Sequence, residues 1–313
     1  MKPEPFISIV SPVYRAETIV DELVKRICEE IVKITHHFEI ILVEDGSPDS
    51  SWAKIRENCK ANSKVKGIRL SRNFGQHHAI TAGVFHAKGD YIIVMDCDLQ
   101  DNPKYFYALY DKIREDFNII YTVKKEREHT LIKNSFALIF HSLFNWLIGR
   151  NKGISSSGKI GTYSLITRKV ADAYIAINDY HRPYLIILQW LGFSNSHIQV
   201  EHDQRFEGKS SYSFLKLASH AVNGIISQTD RLLILSIYVG FLFSFVGFIF
   251  IISILHTYFA KGLMVGWTSI VVLIIFNTGL LLMTMGVVGA YIGQIFVQTK
   301  NRPLFIIDQK ENM

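Results

Sequence analysis

The stretch DYIIVMDCDLQDNP, residues 90–103, joins the apolar run YIIVM to the cluster DCDLQDNP, which holds three aspartates. If strand geometry continues past Met95, Asp96 and Asp98 point to the same side, with Gln100 nearby after the chain turns. Two carboxylates and an amide oxygen suit Mg²⁺ or Mn²⁺, with water and phosphate oxygens completing the shell. The stretch therefore predicts a buried strand that ends at a divalent metal site.

The end of the same stretch is typical of a helix start. Asp101 or Asn102 is expected to cap a helix over PKYFYALYDKI, with Pro103 in its first turn. That role leaves Asp96 and Asp98 unexplained, because ending a strand does not require two carboxylates. We therefore expect a chemical role for those two residues.

Upstream of residue 90 the chain alternates between strand-like apolar runs and helical spacing. The strand-like runs are FISIVSPVY, FEIILVED and VKGIRLS, and the helical ones are TIVDELVKRICEEIVKI, DSSWAKIRENCKAN and HHAITAGVFHA. This rhythm predicts an α/β domain with a Rossmann-like, mostly parallel sheet and flanking helices. Polar clusters follow the strands, as SPVYRAE, EDGSPD, SRNFG and DCDLQD, so we expect a shared ligand site at the strands' carboxyl ends.

Asp45 follows the second predicted strand, within EDGSPDS. Asp49 or Ser50 is better placed to cap the next helix, so Asp45 is available to accept hydrogen bonds from a nucleotide's base or ribose. No G-x-G-x-x-G motif follows the first strand, and no Walker loop occurs in the chain. We therefore expect a metal, rather than a glycine-rich loop, to hold a diphosphate.

The cysteines and the net charge indicate the compartment of the protein and the kind of ligand it binds. The three cysteines are odd in number and widely spaced, which fits a reducing compartment better than a disulfide framework. The net charge of +6 comes from scattered basic residues and favours an anionic membrane surface or phosphorylated ligands over nucleic acid. The adjacent histidines at 77 and 78 lack metalloprotease spacing, and we expect them on the polar surface or at a helix start.

Two long apolar runs, residues 232–255 and 268–296, each exceed the roughly 20 residues that span a bilayer as a helix. Two such runs without a charged face do not both fit inside a domain this small, which disfavours buried core helices. Their short connection predicts a hairpin of two transmembrane helices. Basic residues flank the hairpin on its outer sides, whereas the connection offers only Lys261, so both termini are expected in the cytoplasm.

The predicted organisation is an α/β domain over residues 1–209, a juxtamembrane amphipathic helix over 210–231, the hairpin over 232–296 and a cytoplasmic tail over 297–313. No basic segment followed by a short apolar one opens the chain, so the N-terminal domain is expected to stay inside the cell. A helix over 131–151 has two interpretations that the sequence leaves open: an interfacial helix at the bilayer, or a helix packed on the sheet.

Several stretches together resemble a known family: SPVYRAE, EDGS, LSRNFGQHHAITAGVFHAKGDYIIVMDCDLQDNP, RFEGKSSYS and GVVGAYIGQIFVQTKNRPLF. They are similar to the family 2, GT-A-fold glycosyltransferases that act on polyprenyl phosphate. The resemblance is to bacterial undecaprenyl-phosphate glucosyl and aminoarabinosyl transferases and to dolichol-phosphate mannose synthase. It covers nearly the whole chain and is most specific over residues 70–103.

The resemblance assigns site residues by position. It implies nucleotide contacts from Pro12, Tyr14, Glu17, Asp45, Arg72 and Asp96. It implies a Mg²⁺ or Mn²⁺ ion held by Asp98 and Gln100 together with Asp96. It implies a site for the lipid phosphate made by Lys124, Arg127, Arg205, Lys209 and Ser210. The expected catalytic residues are Asp96, Asp98 and Arg205.

The implied reaction transfers a sugar from a nucleotide sugar, expected to be UDP-linked, to undecaprenyl phosphate, with inversion at the anomeric carbon. A metal would stabilise the charge on the leaving diphosphate, and the lipid phosphate is already anionic, so no general base is needed. The enzyme would be a multi-pass protein of the inner membrane whose product serves O-antigen or lipopolysaccharide modification. Its partners would be the donor, the lipid acceptor and membrane lipid, with a homo-oligomer as a further expectation.

The chain departs from the family pattern at several positions. YRAE replaces the usual YNE, so Ala16 stands where relatives have glutamate, and Glu17 is the one acid nearby to substitute for it. GTYSLITR stands where relatives read GDFRLMxR, which puts Thr162 and Ser164 in place of an acid and an arginine. Ser211 follows the signature serine where relatives often have lysine. These departures leave the identity of the sugar open.

Two other functions compete with this hypothesis. The same fold could add sugar directly to a glycan, although synthases of that kind usually carry more spans and a QxxRW motif, which is absent from this chain. A non-enzymatic membrane transport component with a nucleotide-binding domain is the other alternative. Two spans without intramembrane charge offer little material for a transport pathway.

Overall fold

The computed structural model describes residues 4–124, 160–201, 231–261 and 266–313. The chain divides into two compact units, one spanning residues 1–129, 157–210 and 302–313, and the other residues 130–156 and 211–301. The first unit contains the sheet and the second contains two long helices. The 131–151 helix and the juxtamembrane helix up to residue 230, both expected from the sequence, lie outside the described residues.

The first unit is built on an eight-stranded sheet in the order β7-β5-β6-β4-β1-β2-β3-β8. The strands are β1 Ile7–Val13, β2 Phe38–Glu44, β3 Val65–Leu70, β4 Tyr91–Val94, β5 Ile119–Lys124, β6 Ile160–Thr167, β7 Asn195–Val200 and β8 Ile307–Glu311. Strands β1 to β4 run parallel to one another, and β5 runs parallel to β7. Strands β6 and β8 are antiparallel to their neighbours. The predicted mostly parallel α/β sheet is confirmed.

Helices cover both faces of this sheet. They are α1 Val20–Ile31, α2 Ser51–Ala61, α3 Gln76–His86, a 3₁₀ turn Pro103–Tyr105, α4 Phe106–Ile113, α5 Arg168–Ala176 and α6 Tyr184–Trp190. One apolar cluster joins β1 and β2 to α1, α2 and α4, and a second joins them to α3, α5 and α6. Every residue of β1 and β2 is buried, as expected for central strands covered on both faces.

Glycine 83 explains how closely α3 approaches the sheet. A Cβ atom at this position would lie 2.2 Å from Val10 Cγ1 and 3.2 Å from Val43 Cγ2. Only glycine leaves room for this contact between α3 and strands β1 and β2. The contact helps to set the position of the first turn of α3, which begins beside the carboxyl ends of the strands.

Glu39 holds the opposite end of the sheet together. Its side chain is 2 % exposed and accepts hydrogen bonds of 2.6 Å each from the Ser8 hydroxyl, Lys66 Nζ and the Lys88 backbone N–H. Burial opposes ionisation of this carboxyl, but the three hydrogen bonds outweigh it, so the pKa of Glu39 is lowered. An acid with a lowered pKa in the folded state contributes stability above its unfolded pKa and loses it as the pH falls through the folded value.

We expect Glu39→Gln to lower the thermal unfolding midpoint of the full-length protein in detergent by about 5 °C at neutral pH, corresponding to roughly 2 kcal/mol. The deficit should shrink as the pH falls below 4.5, the ordinary pKa of a glutamate, because the carboxyl of the unfolded wild-type chain is protonated there and that of the folded chain follows at its lowered pKa. Glu57→Gln is the control, since that exposed carboxylate pairs with Lys54 on the surface of α2. An equal loss in both variants would contradict the role assigned to Glu39.

The C-terminal residues differ from the predicted tail. Residues 307–311 form β8, which pairs antiparallel with β3 at the edge of the sheet. The sequence IDQKE offers little apolar alternation, because an edge strand needs charged side chains rather than a buried face. A strand of this kind gives almost no periodic signal in the sequence.

The second unit contains α7 Arg231–Lys261 and α8 Trp267–Thr299, which both run a few residues beyond the apolar stretches predicted as spans. The Phe243 and Phe276 rings meet between them, with centroids 5.3 Å apart. Within the residues that can be described, the segment Phe276–Thr299 is long and apolar enough to cross a membrane, and Leu233–Ile249 is a shorter apolar segment. The predicted helices are therefore present, while the pair of spans stays a prediction.

Candidate active site

The loops after β1, β2, β3 and β4 meet at one edge of the sheet. The Arg15 N–H donates to Ser47 Oγ at 2.8 Å, which joins the first loop to the second. Tyr14 precedes Arg15 and leaves 42 % of its surface exposed, whereas Pro12 is buried in β1. The structure thus brings the polar clusters at the strand ends together, as the sequence predicted.

Asp45 joins the second loop to the third. It is 3 % exposed, and its two carboxylate oxygens accept the backbone N–H groups of Phe74 at 2.7 Å and Gly75 at 2.9 Å. Burial raises the pKa of Asp45, and these two hydrogen bonds oppose that rise. Its contact with a nucleotide stays a prediction, and the geometry adds a second role as the acceptor that holds the loop between β3 and α3.

Gly46 allows the second and third loops to touch. Its φ is +61°, and a Cβ atom there would lie 2.3 Å from Asn73 N and 2.4 Å from Arg72 C. Both the left-handed backbone and the close approach require glycine. Arg72 is itself exposed and stacks its guanidinium over the Phe74 ring at 4.1 Å.

Asp96 is held by residues from three directions. Its backbone N–H donates to Asp101 Oδ2 at 3.1 Å. Its Oδ1 accepts Gln76 Nε2, the first residue of α3, at 2.6 Å and the Thr162 hydroxyl of β6 at 3.1 Å. Sequence reasoning did not find these two donors. In the sequence Thr162 is notable only as a departure from the family pattern, and nothing in the sequence predicts a contact from Gln76.

Asp98 and Gln100 lie in a tight turn that follows Asp96. The Gln100 N–H donates to Asp98 Oδ1 at 3.1 Å. Leu99 between them has a φ of +60° and is 3 % exposed, so a bulky side chain is buried at a left-handed position. Strand β4 ends at Val94, and Cys97 and Asp98 already lie in the turn, so the strand geometry that the sequence predicts through Asp98 does not continue that far.

The helix start after this turn follows the prediction, with Asn102 as the cap and Pro103 in the first turn. Asn102 Oδ1 accepts the Lys104 N–H at 3.0 Å and caps the 3₁₀ turn that leads into α4. Asp101 has a different role, because its carboxylate accepts the N–H of Asp96. The Tyr163 hydroxyl donates to the Asn102 carbonyl at 3.1 Å, which ties the turn to β6.

The donor set fits a divalent cation that is also bound by a substrate. In the described portion of the chain no group of three or more His, Cys, Asp or Glu side chains forms a complete metal site. Asp96, Asp98 and Gln100 supply two carboxylates and an amide oxygen, which are hard ligands that leave positions for phosphate oxygens. Cys97 does not compete, because burial raises the pKa of its thiol to about 12.

Glu17 is engaged by the second loop. Its backbone N–H donates to Asp49 Oδ2 at 3.3 Å, and its carboxylate accepts the Ser50 N–H at 3.1 Å. The neighbouring Ala16 is buried, and its N–H donates to Ser51 Oγ at 3.0 Å. Glu17 thus braces the first loop against the start of α2, and its nucleotide contact stays a prediction.

His77 of α3 joins two helices. His77 lies in the first turn of α3, as predicted, but it is not on the polar surface: burial lowers its pKa to about 4. Its Nδ1 accepts the Tyr184 N–H at 3.3 Å, which joins α3 to the start of α6. This contact gives the His77 ring a structural role between α3 and α6.

The residues predicted to bind the lipid phosphate are not tested by the structure. Lys124 ends β5, the strand beside β6 and β7. The other four, Arg127, Arg205, Lys209 and Ser210, lie outside the described residues. Their assignments stay predictions.

Comparison with known proteins gives matches over the whole chain. The family model described as glycosyl transferase family 2 matches residues 8–175, which include the four loops of the site. An uncharacterized glycosyltransferase, YkcC of Bacillus subtilis (strain 168), is 32 % identical over 304 residues, covering 96 % of this chain and 93 % of the relative. The undecaprenyl-phosphate 4-deoxy-4-formamido-L-arabinose transferase of Pseudomonas fluorescens (strain Pf0-1) is 30 % identical over 318 residues, covering 99 % and 92 %.

Two solved structures are similar in fold. The mannosyltransferase PcManGT of Pyrobaculum calidifontis, in complex with GDP-Man and Mn²⁺, has a TM-score of 0.50 at 13 % identity and covers 72 % of this chain and 64 % of that one. Glucosyl-3-phosphoglycerate synthase of Mycobacterium tuberculosis, in complex with Mn²⁺ and UDP-glucose, also scores 0.50 at 13 % identity, covering 72 % and 78 %. Because the family match covers the site and more than half of the chain, and full-length relatives support it, this protein is a glycosyltransferase that belongs to glycosyl transferase family 2.

Proposed function

We propose that the protein transfers one sugar from a nucleotide sugar, UDP-linked, to undecaprenyl phosphate, with inversion and with a divalent metal. The product would be a lipid-linked monosaccharide that serves cell-surface glycan modification, such as that of O-antigen or lipopolysaccharide. The observation that carries the proposal is the similarity to a transferase named for undecaprenyl phosphate, which extends over 99 % of this chain and 92 % of that relative. It thus includes the long helices as well as the sheet.

The donor would lie across the loops of β1, β2 and β3. The exposed Tyr14 ring offers a surface on which a base can stack, beside Pro12 and Glu17. Asp45 would accept from the base or ribose while it holds Phe74 and Gly75 in place. Arg72, exposed on the loop that Asp45 holds, supplies a positive charge for the diphosphate.

The leaving group would be stabilised at the loop after β4. Asp98 and Gln100, with Asp96, would hold Mg²⁺ or Mn²⁺, which when bound stabilises the negative charge that grows on the nucleoside diphosphate. Gln76 and Thr162 hold Asp96 Oδ1 through two neutral donors, at 2.6 Å and 3.1 Å. These two donors fix the orientation of the Asp96 carboxylate.

The acceptor would need orientation rather than activation. A lipid phosphate is anionic at neutral pH and attacks without a general base. We propose that the lipid phosphate is bound by Lys124, Arg127, Arg205, Lys209 and Ser210. Among them, Arg205 is also the proposed catalytic residue. Their charges would hold the phosphate in line with the anomeric carbon.

The position of β8 supports a two-span anchor in the inner membrane. Strand β8 lies in the same sheet as β1 to β7, although α7 and α8 separate them along the chain. Both ends of the helical segment must therefore be on one side of any membrane that the segment enters. A single crossing by Phe276–Thr299 does not meet this condition, whereas a hairpin with both termini in the cytoplasm does.

The topology can be tested with a phosphatase reporter that is active only outside the cytoplasm. Inserted after Lys261, between α7 and α8, the reporter should be active. Fused after Met313, it should be inactive. An active C-terminal fusion would show an odd number of crossings and would contradict the hairpin.

The reaction can be tested by measuring which acceptor the protein needs in order to release the nucleotide. The full-length protein in detergent, supplied with UDP-sugars and Mn²⁺, should release UDP only when undecaprenyl phosphate is present. Chelation of divalent ions should stop the release. Release that depends on a glycan, and not on the lipid, would instead favour a glycosyltransferase that extends glycans directly.

A further inference from the structure

Residues 306–311, close to the C-terminus, lie along β3 and form the edge of the sheet there. Strand β8 pairs with β3 from Gly67 opposite Glu311 to Leu70 opposite Ile307. Just beyond this ladder, the Ser71 N–H donates to the Ile306 carbonyl at 2.9 Å. Ser71 is the first residue of the loop between β3 and α3, so the C-terminal segment fixes the point where that loop begins.

Side chains attach the same segment, residues 305–312, to three neighbouring elements. Contacts to α2 and the start of β3 are Trp52 Nε1 to Gln309 Oε1 at 2.8 Å, Arg56 to Glu311 at 2.9 Å, and Asn312 Nδ2 to the Cys59 and Val65 carbonyls at 2.6 and 2.9 Å. Contacts to α3 are Lys310 Nζ to His86 Nε2 at 3.0 Å and the Phe305 ring to the Phe85 ring at 6.2 Å between centroids. A solvated tail would not make a set of this kind.

One charged side chain links the segment to the second loop of the site. Arg69, on β3, lies 3.3 Å from Glu44 and 3.9 Å from Asp308. Glu44 is fully buried, directly precedes Asp45 and accepts the Ser47 N–H. Charge contacts therefore run from the C-terminal segment to the end of β2.

The loop between β3 and α3 is thus held at both ends. Ile306 fixes its start at Ser71, and Asp45 fixes its end at Phe74 and Gly75. We infer that the segment 305–312 is a positioning element of the donor site: it holds this loop so that Arg72 faces the donor. The inference rests on the proposed function for the identity of the donor. It places part of the donor site's support after the membrane helices, in the last residues of the chain.

Amide hydrogen exchange on the full-length protein in detergent tests the inference without any ligand. The variant Gln309→Ala with Asn312→Ala removes three hydrogen bonds of the segment. Amides of residues 71–76 should then exchange roughly ten-fold faster, while those of α1 keep their wild-type rates. Asn118→Ala is the matched control, because it removes an asparagine hydrogen bond to Ser194, near the opposite edge of the sheet from β8. Unchanged protection over 71–76, with only a lower unfolding midpoint, would overturn the inference.

Kinetics supply the second readout. The double variant should raise KM for the UDP-sugar roughly five- to ten-fold and leave kcat at saturating donor and KM for undecaprenyl phosphate near wild type. A fall in kcat alone would contradict a role in donor positioning. If the wild type used no UDP-sugar, the proposed function would fail, whereas the exchange result would still decide the role of the segment.

Discussion

Asp98→Ala is expected to lower the rate of sugar transfer by about 10³-fold, the size of effect seen when a group that stabilises transition-state charge is removed. Asp98 lies in the turn after β4, where its carboxylate accepts the N–H of Gln100. Removing it deletes one of two carboxylates from the proposed metal set. The remaining Asp96 and Gln100 would bind a divalent ion too weakly to neutralise a leaving diphosphate.

The loss of metal binding should be measurable without the transfer reaction. Mn²⁺ binding to the full-length protein with UDP, followed by electron paramagnetic resonance, should weaken strongly in Asp98→Ala. The thermal unfolding midpoint should change little, because the side chain is only half-buried. Asp111→Ala, on the exposed surface of α4, should retain full activity and metal binding. Wild-type activity in Asp98→Ala would show that the metal assignment is wrong.

Asp45→Asn is expected to raise the dissociation constant for UDP by roughly 30-fold, corresponding to about 2 kcal/mol. The asparagine keeps the size of the side chain but offers one acceptor oxygen where the aspartate offers two. One of the Phe74 and Gly75 N–H groups would then face an amide NH₂. The loop that carries Arg72 would lose its fixed end.

Asp90→Asn separates this effect from a general loss of stability. Asp90 also accepts a backbone N–H, from Phe6 at 3.0 Å, but at the start of β4, away from the site. Asp90→Asn should lower the unfolding midpoint less than Asp45→Asn, because Asp90 is exposed and accepts one N–H, and UDP affinity should fall only in Asp45→Asn. Calorimetric titration of UDP in the presence of Mn²⁺ measures the difference. Equal affinities in the two variants would show that Asp45 has no role in the donor site.

The strands and their order along the chain are predictable because each apolar run lies within a few consecutive residues. The apolar runs around Val10, Ile41 and Ile93 are continuous, as buried parallel strands require, and polar loops follow each of them. The placement of Asp96, Asp98 and Gln100 at a strand end followed from the same pattern. A cap before Pro103 followed from helix-start chemistry, and Asn102 provides it.

The other features of the fold and site depend on contacts between residues that are distant in the sequence. Gln76 and Thr162 reach Asp96 across 20 and 66 positions, and no spacing rule predicts such pairs. The sequence predicts a nucleotide contact for Asp45 but not its second role, because its hydrogen bonds to Phe74 and Gly75 exist only in the folded loop. Strand β8 was missed because its charged edge sequence resembles a solvated tail.

The mass of the lipid product shows whether this protein transfers a single sugar to undecaprenyl phosphate. The full-length protein in detergent is incubated with undecaprenyl phosphate, Mg²⁺ and a panel of nucleotide sugars, each supplied separately, and the lipid fraction is analysed by mass spectrometry. We predict that one donor yields undecaprenyl phosphate carrying a single sugar residue, and that omission of the metal abolishes the product. A lipid fraction that is unchanged with every donor would contradict the proposed reaction.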